Sequence, residues 1–513
     1  MFLEDKFENS DVIKGLQAVT KPVECYFKGY EKALEMLHKH LNNSSKPIVV
    51  HCDVDVDGIG SAYILDRFIQ GLNKIHRVGY IINKEKEHGI KDNQVDYLNK
   101  LDIGLLVILD SSTNELDLIK KLNCDVLVVD HHEILHTELQ GKTSTGNYII
   151  INNMATNEEH NYIADKDMSC GLVLYELLRL YENKYSISLL EDSKLYQWVG
   201  VTLFTDAIKL ANDRNQYYID KTINQYNMEH TLTILLESLS RYDKFLSKTF
   251  ISFTLAPRIN KSIRAGVTKE ILSTILRTPE KITDFIKYDT KQKDILDYIL
   301  SNLESNKLDI ISSEGYNILD ISNTDIPKSY NGVIASKLLD ITHKSTAVGR
   351  EETANIIVGS FRGLNDNIDY RMEFEKNGVY AQGHSLAFGF KAHKNKLIQI
   401  LDNINHIEYQ KRYLTAGDIP DHLKGIHHID SMDKFKKEQS LLALAIANGR
   451  LSTREAVEIY LLNNKDIKVE WREKYGICNV LGLECKVFEE PVTEWLKLYI
   501  EYRDTIDIYL RNV

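Results

Sequence analysis

The stretch HCDVDVDG, residues 51–58, follows the apolar run IVV and leads into a helix-like segment, GIGSAYILDRFIQGL. It carries aspartates at alternate positions, Asp53, Asp55 and Asp57, with His51 in line before them. In an extended strand these side chains would share one face. Like charges that close repel and raise one another's pKa values unless a cation lies among them. The stretch therefore predicts a buried strand that runs into a loop, with a cation among its carboxylates.

Two further apolar runs also end in acidic residues. LLVILD ends at Asp110, and VLVVDHH ends at Asp130, followed by His131 and His132. Alternation of these runs with helix-like stretches predicts a parallel α/β sheet. Ligand sites in open α/β sheets gather at the carboxyl ends of the strands. The pattern thus predicts one site at one sheet edge, with Asp206, inside a later apolar stretch, as a further candidate.

Composition limits the possible classes of protein. The chain has 513 residues, more than one hydrophobic core usually supports, so several domains are expected. No apolar run approaches the ~20 residues that span a bilayer, and the acidic N-terminus MFLEDKFENSDVIKG does not resemble a signal peptide. A cytoplasmic protein without membrane association is predicted. The net charge of -11 argues against a protein that coats nucleic acid, but it allows an enzyme with a local basic groove.

The chemistry of the acidic residues favours particular metals. Carboxylates with one or two imidazoles suit Mn²⁺ or Mg²⁺, because hard cations prefer oxygen and Mn²⁺ accepts nitrogen readily. The six cysteines are scattered without zinc-like spacing, so reduced thiols are expected and a structural zinc site is not. Two such cations activate a water and stabilise the leaving oxygen in phosphoryl displacement.

The order DxDxDG, a strand-closing aspartate, DHH and a later aspartate resembles the DHH phosphoesterase superfamily. The resemblance implies two divalent cations, with Mn²⁺ preferred or Mg²⁺. It places Asp55 and Asp57 on either side of the metal pair, with Asp110 bridging the ions. His131 would bind one ion, and Asp206 would complete the set.

The resemblance also assigns roles to the neighbours of these ligands. His132 would face the substrate phosphate, and Asp130 would support the two histidines. Branches of the superfamily differ in one more ligand, which corresponds to either His51 or Asp53. This chain has both residues, so the choice between them stays open.

Later stretches resemble RecJ-type single-strand-specific exonucleases. LAPRINKSIRAG resembles the PRINAAGR segment, NGVIASKL with GSFRG resembles two RecJ patterns, and QGHSLAFGF resembles the GGHxxAAG loop of the DHHA1 domain. The implied substrate-binding residues are Lys84, Arg258, Asn260, Arg264, Ser360, Arg362, Gly383 and His384. Two departures from the family matter: Gln382 replaces the first glycine of the loop, and EHGI (His88, Gly89, Ile90) replaces the GYGL that follows the second strand. In that region Lys84 stands where RecJ-type enzymes place an arginine on a terminal phosphate.

The predicted fold is α/β with four parts. These are a DHH catalytic domain (1–215), a helical connector interrupted by the PRIN motif (216–310), a smaller α/β DHHA1-like domain (311–400) and a partly helical extension of unknown role (401–513). Within the extension, SLLALAIANG and EEPVTEWLKLYIEYRD look helical. The extension is a candidate site for a protein partner.

The predicted function is that of a two-metal phosphodiesterase resembling RecJ. It would degrade single-stranded nucleic acid, specifically DNA from 5′ to 3′, to mononucleotides in a cleft between the two α/β domains, with a role in DNA repair and recombination. One alternative is a DHH/DHHA1 hydrolase of short oligonucleotides or cyclic dinucleotides. Another is a non-catalytic RecJ-like replication scaffold, which the intact metal motifs argue against.

Overall fold

The computed structural model describes residues 22–412, apart from short gaps, and the backbone of six strands between 458 and 512. The gaps are residues 44, 73–77, 85–87, 207, 209, 211, 224, 241–242, 305–307, 314, 343, 354 and 365–367. Among the described residues, no helix is both long enough and apolar enough to cross a membrane.

A six-stranded sheet forms the centre of the N-terminal part of the chain. Its strands are β1 (Ile48–Cys52), β2 (Val78–Ile82), β3 (Leu105–Leu109), β4 (Asp125–Asp130), β5 (Gln140–Lys142) and β6 (Asn147–Asn152). They are ordered β2-β1-β3-β4-β6-β5, and all neighbours are parallel except β5 with β6. Every residue of β1, β3 and β4 is buried, which explains why these strands are continuous apolar runs. The predicted parallel α/β sheet is confirmed.

Helices accompany this sheet. They are α1 (Tyr30–Asn43), α2 (Val56–Gly71), α3 (Asp92–Lys100), α4 (Leu116–Ile119), α5 (Cys170–Tyr185), α6 (Tyr196–Thr205), α7 (Asp213–Thr222) and α8 (His230–Leu239). Of these, α2, α5 and α6 pack against one another. Trp198 of α6, fully buried, stacks on Tyr63 of α2 at 4.5 Å between ring centroids.

The DVDVDG loop turns directly from strand to helix. β1 ends at Cys52, and α2 begins at Val56 with Asp55 as its N-cap, whose carboxylate accepts the Gly58 N–H at 3.0 Å. A Cβ atom at Gly58 would lie 2.6 Å from the backbone oxygen of Asp53, so only glycine allows the helix to begin this close to the strand end. The chain therefore bends directly after β1, and strand alternation stops at Cys52.

The PRIN segment is helical, so the predicted interruption of the connector is wrong. A π-helix (Phe250–Leu255) runs into α9 (Ala256–Arg264), which α10 (Thr268–Arg277) follows. Pro257 is the second residue of α9, where a missing N–H and a fixed φ are tolerated. In the π-helix just before it, the Ala256 N–H bonds to the Ile251 carbonyl, five residues back instead of four. The regular α-helical hydrogen bonds are therefore already interrupted where proline removes a donor.

A second six-stranded sheet follows. Its strands are β7 (Asp309–Ser312), β8 (Tyr316–Asp320), β9 (Ser345–Thr353), β10 (Ile356–Arg362), β11 (Tyr380–His384) and β12 (Ala387–His393). The order is β11-β12-β10-β9-β8-β7, and only β8 with β9 is parallel. The accompanying helices are α11 (Lys287–Glu304), α12 (Asn331–Thr342), α13 (Tyr370–Lys376) and α14 (Lys394–Arg412). Side chains of α13 and α14 form one core with this sheet, and those of α11 and α12 form another.

The described part of the extension contains a third sheet that was not predicted. Its strands are β13 (Glu458–Asn463), β14 (Val469–Trp471), β15 (Gly476–Val480), β16 (Leu483–Val487), β17 (Trp495–Tyr502) and β18 (Ile506–Asn512), in the order β13-β17-β18-β16-β15-β14. The helical prediction for EEPVTEWLKLYIEYRD is wrong, because β17 pairs with both β13 and β18. Helix α14 does enter the extension, to Arg412, and SLLALAIANG lies outside the described residues.

The chain divides into two compact units. One comprises residues 1–263, 267–285 and 425–513, and the other comprises 264–266 and 286–424. The first contains the DHH-like sheet, and the second contains the sheet β7–β12. The finer division at 215, 310 and 400 stays a proposal.

A buried carboxylate ties three elements of the first unit together. Asp66 on α2 has 2% of its side chain exposed and accepts both Nη1 and Nη2 of Arg277, at the end of α10, at 2.8 Å each. Gln70 donates to the same carboxylate at 2.8 Å, and Tyr80 of β2 donates its hydroxyl hydrogen. The carboxylate therefore links α2, α10 and β2.

Substitution Asp66→Asn is expected to lower the free energy of unfolding by about 2–3 kcal/mol, because it leaves Arg277 without its charged partner. This loss is smaller than for a fully buried ion pair, since 43% of the Arg277 side chain is exposed. Asp102→Asn is the control, since Asp102 pairs with Lys46 at 2.7 Å while 80% exposed and should change stability by less than about 1 kcal/mol. Urea unfolding followed by circular dichroism measures both. Equal effects of the two substitutions would contradict the assignment.

Candidate metal centre

The carboxyl ends of the parallel strands meet at one edge of the first sheet. Because the strand order is β2-β1-β3-β4, the chain passes from β1 to one side for β2 and then to the other side for β3. Such a switch point leaves a crevice at the carboxyl ends, where open α/β sheets bind ligands. Asp53 follows β1, Asp110 follows β3 and His131 follows β4, so all three stand at this edge.

Three groups of possible metal ligands form at this edge. One of them, Asp110, His131 and His132, overlaps the two groups that contain only predicted ligands. The first ligand group is Asp53, Asp55 and Asp110, and the second ligand group is Asp57, His131 and Asp206. Within each group, one ligand atom from every residue lies within 4.8 Å of the others. The groups adjoin, because His131 Nε2 is 3.2 Å from Asp110 Oδ1. Asp55 and Asp57 thus fall in different groups, and Asp110 lies in the group of Asp55, beside His131 of the other group.

Asp57 is held by the start of a helix. Its Oδ2 accepts the Cys170 N–H at 2.7 Å, and its Oδ1 accepts the Gly171 N–H at 2.9 Å, both from the first turn of α5. Helix N-termini favour negative charge. Burial nevertheless raises the pKa of Asp57 to about 7, because the neighbouring His131 offsets only part of the effect of burial and of the Asp206 and Asp55 charges. The orientation of this carboxylate is therefore fixed before any cation binds.

Asp110 adopts an unusual backbone conformation for a residue with a side chain. Its φ is 66°, in the left-handed region, and its N–H bonds to the Val129 carbonyl at 2.9 Å. The side chain is 1% exposed. Burial first, and then the charges of Asp57 and Asp55, raise the pKa of Asp110 well above its usual range. Such strain and charge are typical of functional sites.

The donor set fits divalent cations. Asp53 Oδ1 and Asp110 Oδ1 are buried and accept no hydrogen bond from the described residues, although His131 Nε2 lies within ion-pair distance of the latter. Buried carboxylate oxygens without hydrogen bonds are unfavourable unless a cation neutralises them. Oxygen donors with one imidazole nitrogen match Mn²⁺ or Mg²⁺. The residues present therefore fit a divalent cation at this edge of the sheet.

The DHH segment orders itself around Asp130. The Asp130 carboxylate accepts the N–H groups of His131, His132 and Thr113 at 2.7, 3.2 and 3.1 Å, and His132 Nδ1 lies 2.7 Å away. Burial alone favours a neutral His132 ring, but the Asp130 charge raises the pKa of His132 to about 10. Together with the hydrogen bonds, His132 in turn holds the pKa of Asp130 well below its usual range, against the effect of burial. The Asp130 charge therefore favours the protonated ring of His132, and nearly half of this side chain is exposed.

The structure distinguishes His51 from Asp53, the two candidates for one further metal ligand. Asp53 belongs to the first ligand group, whereas His51 belongs to neither group. His51 lies within β1, is fully buried, and has its pKa lowered to about 4 by that burial. The geometry thus favours Asp53 as the ligand.

Sequence reasoning missed His88 as part of this site. His88 Nδ1 lies 2.6 Å from Asp53 Oδ2, and 44% of its side chain is exposed. The contact restrains Asp53, since it engages Oδ2 and leaves Oδ1 buried without a hydrogen bond from the described residues. His88 is separated from Asp53 by 35 positions, and only the pairing of β1 with β2 brings the two loops together. No local pattern indicates this.

Part of the predicted substrate-binding set assembles in the second unit. A Cβ atom at Gly332, in the first turn of α12, would lie 2.6 Å from Arg362 Nη2 and 3.7 Å from Ser360 Oγ. The side chains of Ser360 and Arg362, both on β10, therefore face the N-terminus of α12, where backbone N–H groups favour anions. Ser360, Arg362 and the first turn of α12 are called the phosphate cradle below. Arg264 is held beside the same helix, since the Ser329 hydroxyl donates to its carbonyl at 2.7 Å.

The other predicted substrate residues are placed separately. Lys84 is exposed in the loop after β2, and Arg258 and Asn260 lie half-buried on α9 in the first unit. Gly383 has φ 136° at the turn from β11 to β12, where a Cβ would lie 2.7 Å from the Ala387 carbonyl oxygen. The backbone of His384 pairs with Ala387 across that turn.

Comparison with known proteins defines the class of the first unit. Residues 47–197 match the DHH family, N-terminal domain. The resemblance to the DHH family is therefore confirmed for residues 47–197.

Particular relatives extend the match beyond this domain. YorK, an SPbeta prophage-derived protein of Bacillus subtilis (strain 168) that is named provisionally as a single-strand DNA-specific exonuclease, is 25% identical over 73% of this chain and 68% of its own length. RecJ from Thermus thermophilus, solved in complex with Mn²⁺, has a TM-score of 0.67 at 16% identity, over 96% of this chain and 72% of RecJ. Another exonuclease RecJ, bound to manganese, gives 0.58 at 18% identity, over 79% and 99%. The fold of this protein is therefore that of RecJ.

Substitution Asp110→Asn is expected to raise the melting temperature of the metal-free protein. A carboxyl whose pKa rises on folding destabilises the folded state at pH values above its unfolded pKa of about 3.9, so a neutral amide of the same shape removes this penalty at pH 7.5. Mn²⁺ should raise the melting temperature of the wild-type protein and have little effect on the variant, because a ligand that binds only the folded state stabilises it.

Differential scanning fluorimetry in EDTA and in MnCl₂ measures both effects. Asp117→Asn, at an exposed position of α4, is the control and should change neither. A lower melting temperature of Asp110→Asn in EDTA, with an unchanged response to Mn²⁺, would show that the carboxylate is structural.

Proposed function

We propose that this protein is a metal-dependent phosphodiesterase that degrades single-stranded nucleic acid from one end, in the manner of RecJ. The observation that carries the proposal is the pair of adjoining ligand groups at the switch point of the sheet, joined through Asp110 and His131. The DHH domain, the RecJ fold and the name of the YorK relative support the same class of activity.

The two ligand groups would hold two divalent cations. Such cations, when bound, activate a water and neutralise charge on the phosphate during displacement. We propose Mn²⁺ as the preferred ion, because His131 contributes a nitrogen donor that Mn²⁺ accepts more readily than Mg²⁺.

The protein's own side chains would orient the phosphodiester. The Asp130 charge favours the protonated ring of His132, and the side chain is partly exposed, so its ring can donate a hydrogen bond to a non-bridging phosphate oxygen. Asp130 keeps that ring in place through Nδ1, which leaves Nε2 for the substrate. His88 and the first turn of α5 fix Asp53 and Asp57, so the carboxylates need little rearrangement during the reaction.

The second unit would bind the single-stranded nucleic acid through its phosphate backbone. The phosphate cradle offers a guanidinium, a hydroxyl and a helix N-terminus, which suits one phosphate group. We further propose DNA as the substrate, degraded from 5′ to 3′ to mononucleotides, and a role in repair or recombination. Lys84 would contact a terminal phosphate as a point charge, which predicts only a weak preference for a 5′-phosphate end.

Removal of one central ligand should abolish hydrolysis. Asp110→Ala is expected to lower the rate about 10³-fold or more on a long single strand, because the cations would lose their shared carboxylate. The assay uses 5′- and 3′-labelled strands of DNA and RNA, and a dinucleotide, with Mn²⁺ or Mg²⁺. Asp117→Ala is the control and should keep full activity.

The outcomes of this assay separate the alternatives. Activity confined to the dinucleotide would indicate a short-substrate hydrolase instead. A wild-type protein that hydrolyses none of these substrates would contradict catalysis and leave the scaffold interpretation.

Substitution Arg362→Ala should weaken binding of single strands of any sequence and reduce the slope of log affinity against log salt by about 0.7, since it removes one phosphate contact. Arg371→Ala is a matched control: Arg371 lies on α13 and pairs with Glu375 at 3.1 Å, so it should change neither quantity. Fluorescence anisotropy in EDTA over a series of salt concentrations measures both. An unchanged salt slope in Arg362→Ala would exclude a phosphate contact at this residue.

A further inference from the structure

One surface of the second sheet is open beside the phosphate cradle. Along β10, β12 and β11, side chains alternate between a buried and an accessible face. The buried face belongs to the core that includes α13 and α14, and its members on these strands are Ile357, Phe361, Phe388, Phe390, Ala392 and Ala381. The opposite side of these three strands is called the open face below.

Strand register defines the residues of the open face. In one row Val358 pairs with Lys391, and Lys391 pairs with Tyr380. Directly paired residues in a sheet lie on the same face. The next row, displaced by two residues along each strand, contains Ser360, Gly389 and Gln382. Ser360 belongs to the phosphate cradle, so the row with Tyr380 continues the same surface.

Tyr380 presents a flat ring on this face. Its exposed fraction is 61%, among the larger values for hydrophobic side chains of the described residues. The hydroxyl donates to Gln382 Oε1 at 2.5 Å, and Gln382 is the next residue on the same face of β11. This contact restrains the ring without covering it. An exposed, restrained aromatic ring is suited to stacking, because little conformational freedom is lost when a partner binds.

The surroundings favour a nucleotide over other planar partners. Lys391, which pairs with Glu352, lies directly opposite Tyr380, and Arg362 lies in the row beyond Ser360. Between them Gly389 carries no side chain, and an added Cβ there would approach other atoms no closer than 3.8 Å. The face thus combines positive charge, open space and an aromatic ring, the combination that single-strand binding surfaces use.

We propose that Tyr380 is a stacking platform for one base of the single strand whose phosphate occupies the cradle. With strands ~4.8 Å apart and a rise of ~3.4 Å per residue, Tyr380 lies ~12 Å from Ser360 across the sheet. That distance corresponds to one or two nucleotides of an extended strand. The inference rests on the proposed function and adds a base-binding position to it. Because every base has a π face, the contact would not select a sequence.

The test compares three tyrosine variants for binding to a dT 12-mer in EDTA, measured by fluorescence anisotropy. Tyr380→Ala should weaken binding about 5- to 100-fold, the usual range for loss of one stacked base. Tyr380→Phe keeps the ring and loses only the restraining hydroxyl contact, so it should retain most of the affinity of the wild type. Tyr97→Ala removes a ring that is 54% exposed on α3 in the other unit and should have no effect. Circular dichroism melting of each variant verifies folding.

A second arm assigns the contact to a base. An abasic residue is placed at each position of the 12-mer in turn. The wild-type protein should lose affinity for one or two of these strands, and Tyr380→Ala should show no further loss for them. Equal sensitivity of the two proteins to every abasic position would overturn the proposal, because the ring would then contact something other than a base.

Failure of the inference differs from failure of the proposed function. If the wild-type protein hydrolyses single strands with Mn²⁺ while Tyr380→Ala binds them unchanged, only the stacking platform is wrong. If the wild-type protein neither binds nor hydrolyses single strands, the proposed function is wrong, and the platform with it. A loss confined to Tyr380→Ala, with its abasic position identified, supports both.

Discussion

Repulsion between buried carboxylates is the constraint on which the site depends. Five aspartates converge at one sheet edge: Asp53, Asp55, Asp57, Asp110 and Asp206. Burial and their mutual charge raise the pKa values of Asp57 and Asp110, so the metal-free arrangement is unfavourable at neutral pH. The fold tolerates it through local compensation, with the first turn of α5 on Asp57 and His88 on Asp53. These contacts compensate only part of the negative charge, and bound divalent cations would neutralise the rest.

Sheet topology explains how the carboxylates can converge from distant parts of the chain. The parallel strands β1, β3 and β4 end at the same edge, and each is immediately followed by a site residue. The positive φ of Asp110 and the absence of a side chain at Gly58 allow turns that extended or bulkier residues would prevent. A rigid buried sheet thus positions residues that lie on short loops, which limits the reorganisation needed during a reaction.

The extension shows where local patterns mislead. WLKLYIEY contains Lys497 and Glu501 at helical spacing, yet it forms β17 between β13 and β18. Its aromatic and β-branched residues suit a strand, and pairing with distant segments outweighs the local helical tendency. For the PRIN segment the error is the opposite one: a break in the helical connector was predicted, but the segment is helical. A π-helix directly before it accommodates the proline.

The sequence by itself determined the parallel sheet, the identity of the metal-ligand candidates and the class of chemistry. The reason is that each buried strand is a continuous apolar run, and the acidic residue at its end follows directly in the chain. It also placed Ser360 and Arg362 among the candidates. Only the tertiary structure favoured Asp53 over His51, added the contact of His88 with Asp53 and showed Tyr380 exposed beside Ser360 on the second sheet. These distinctions depend on burial and on which loops and strands lie side by side, and such contacts join residues that are far apart in the chain.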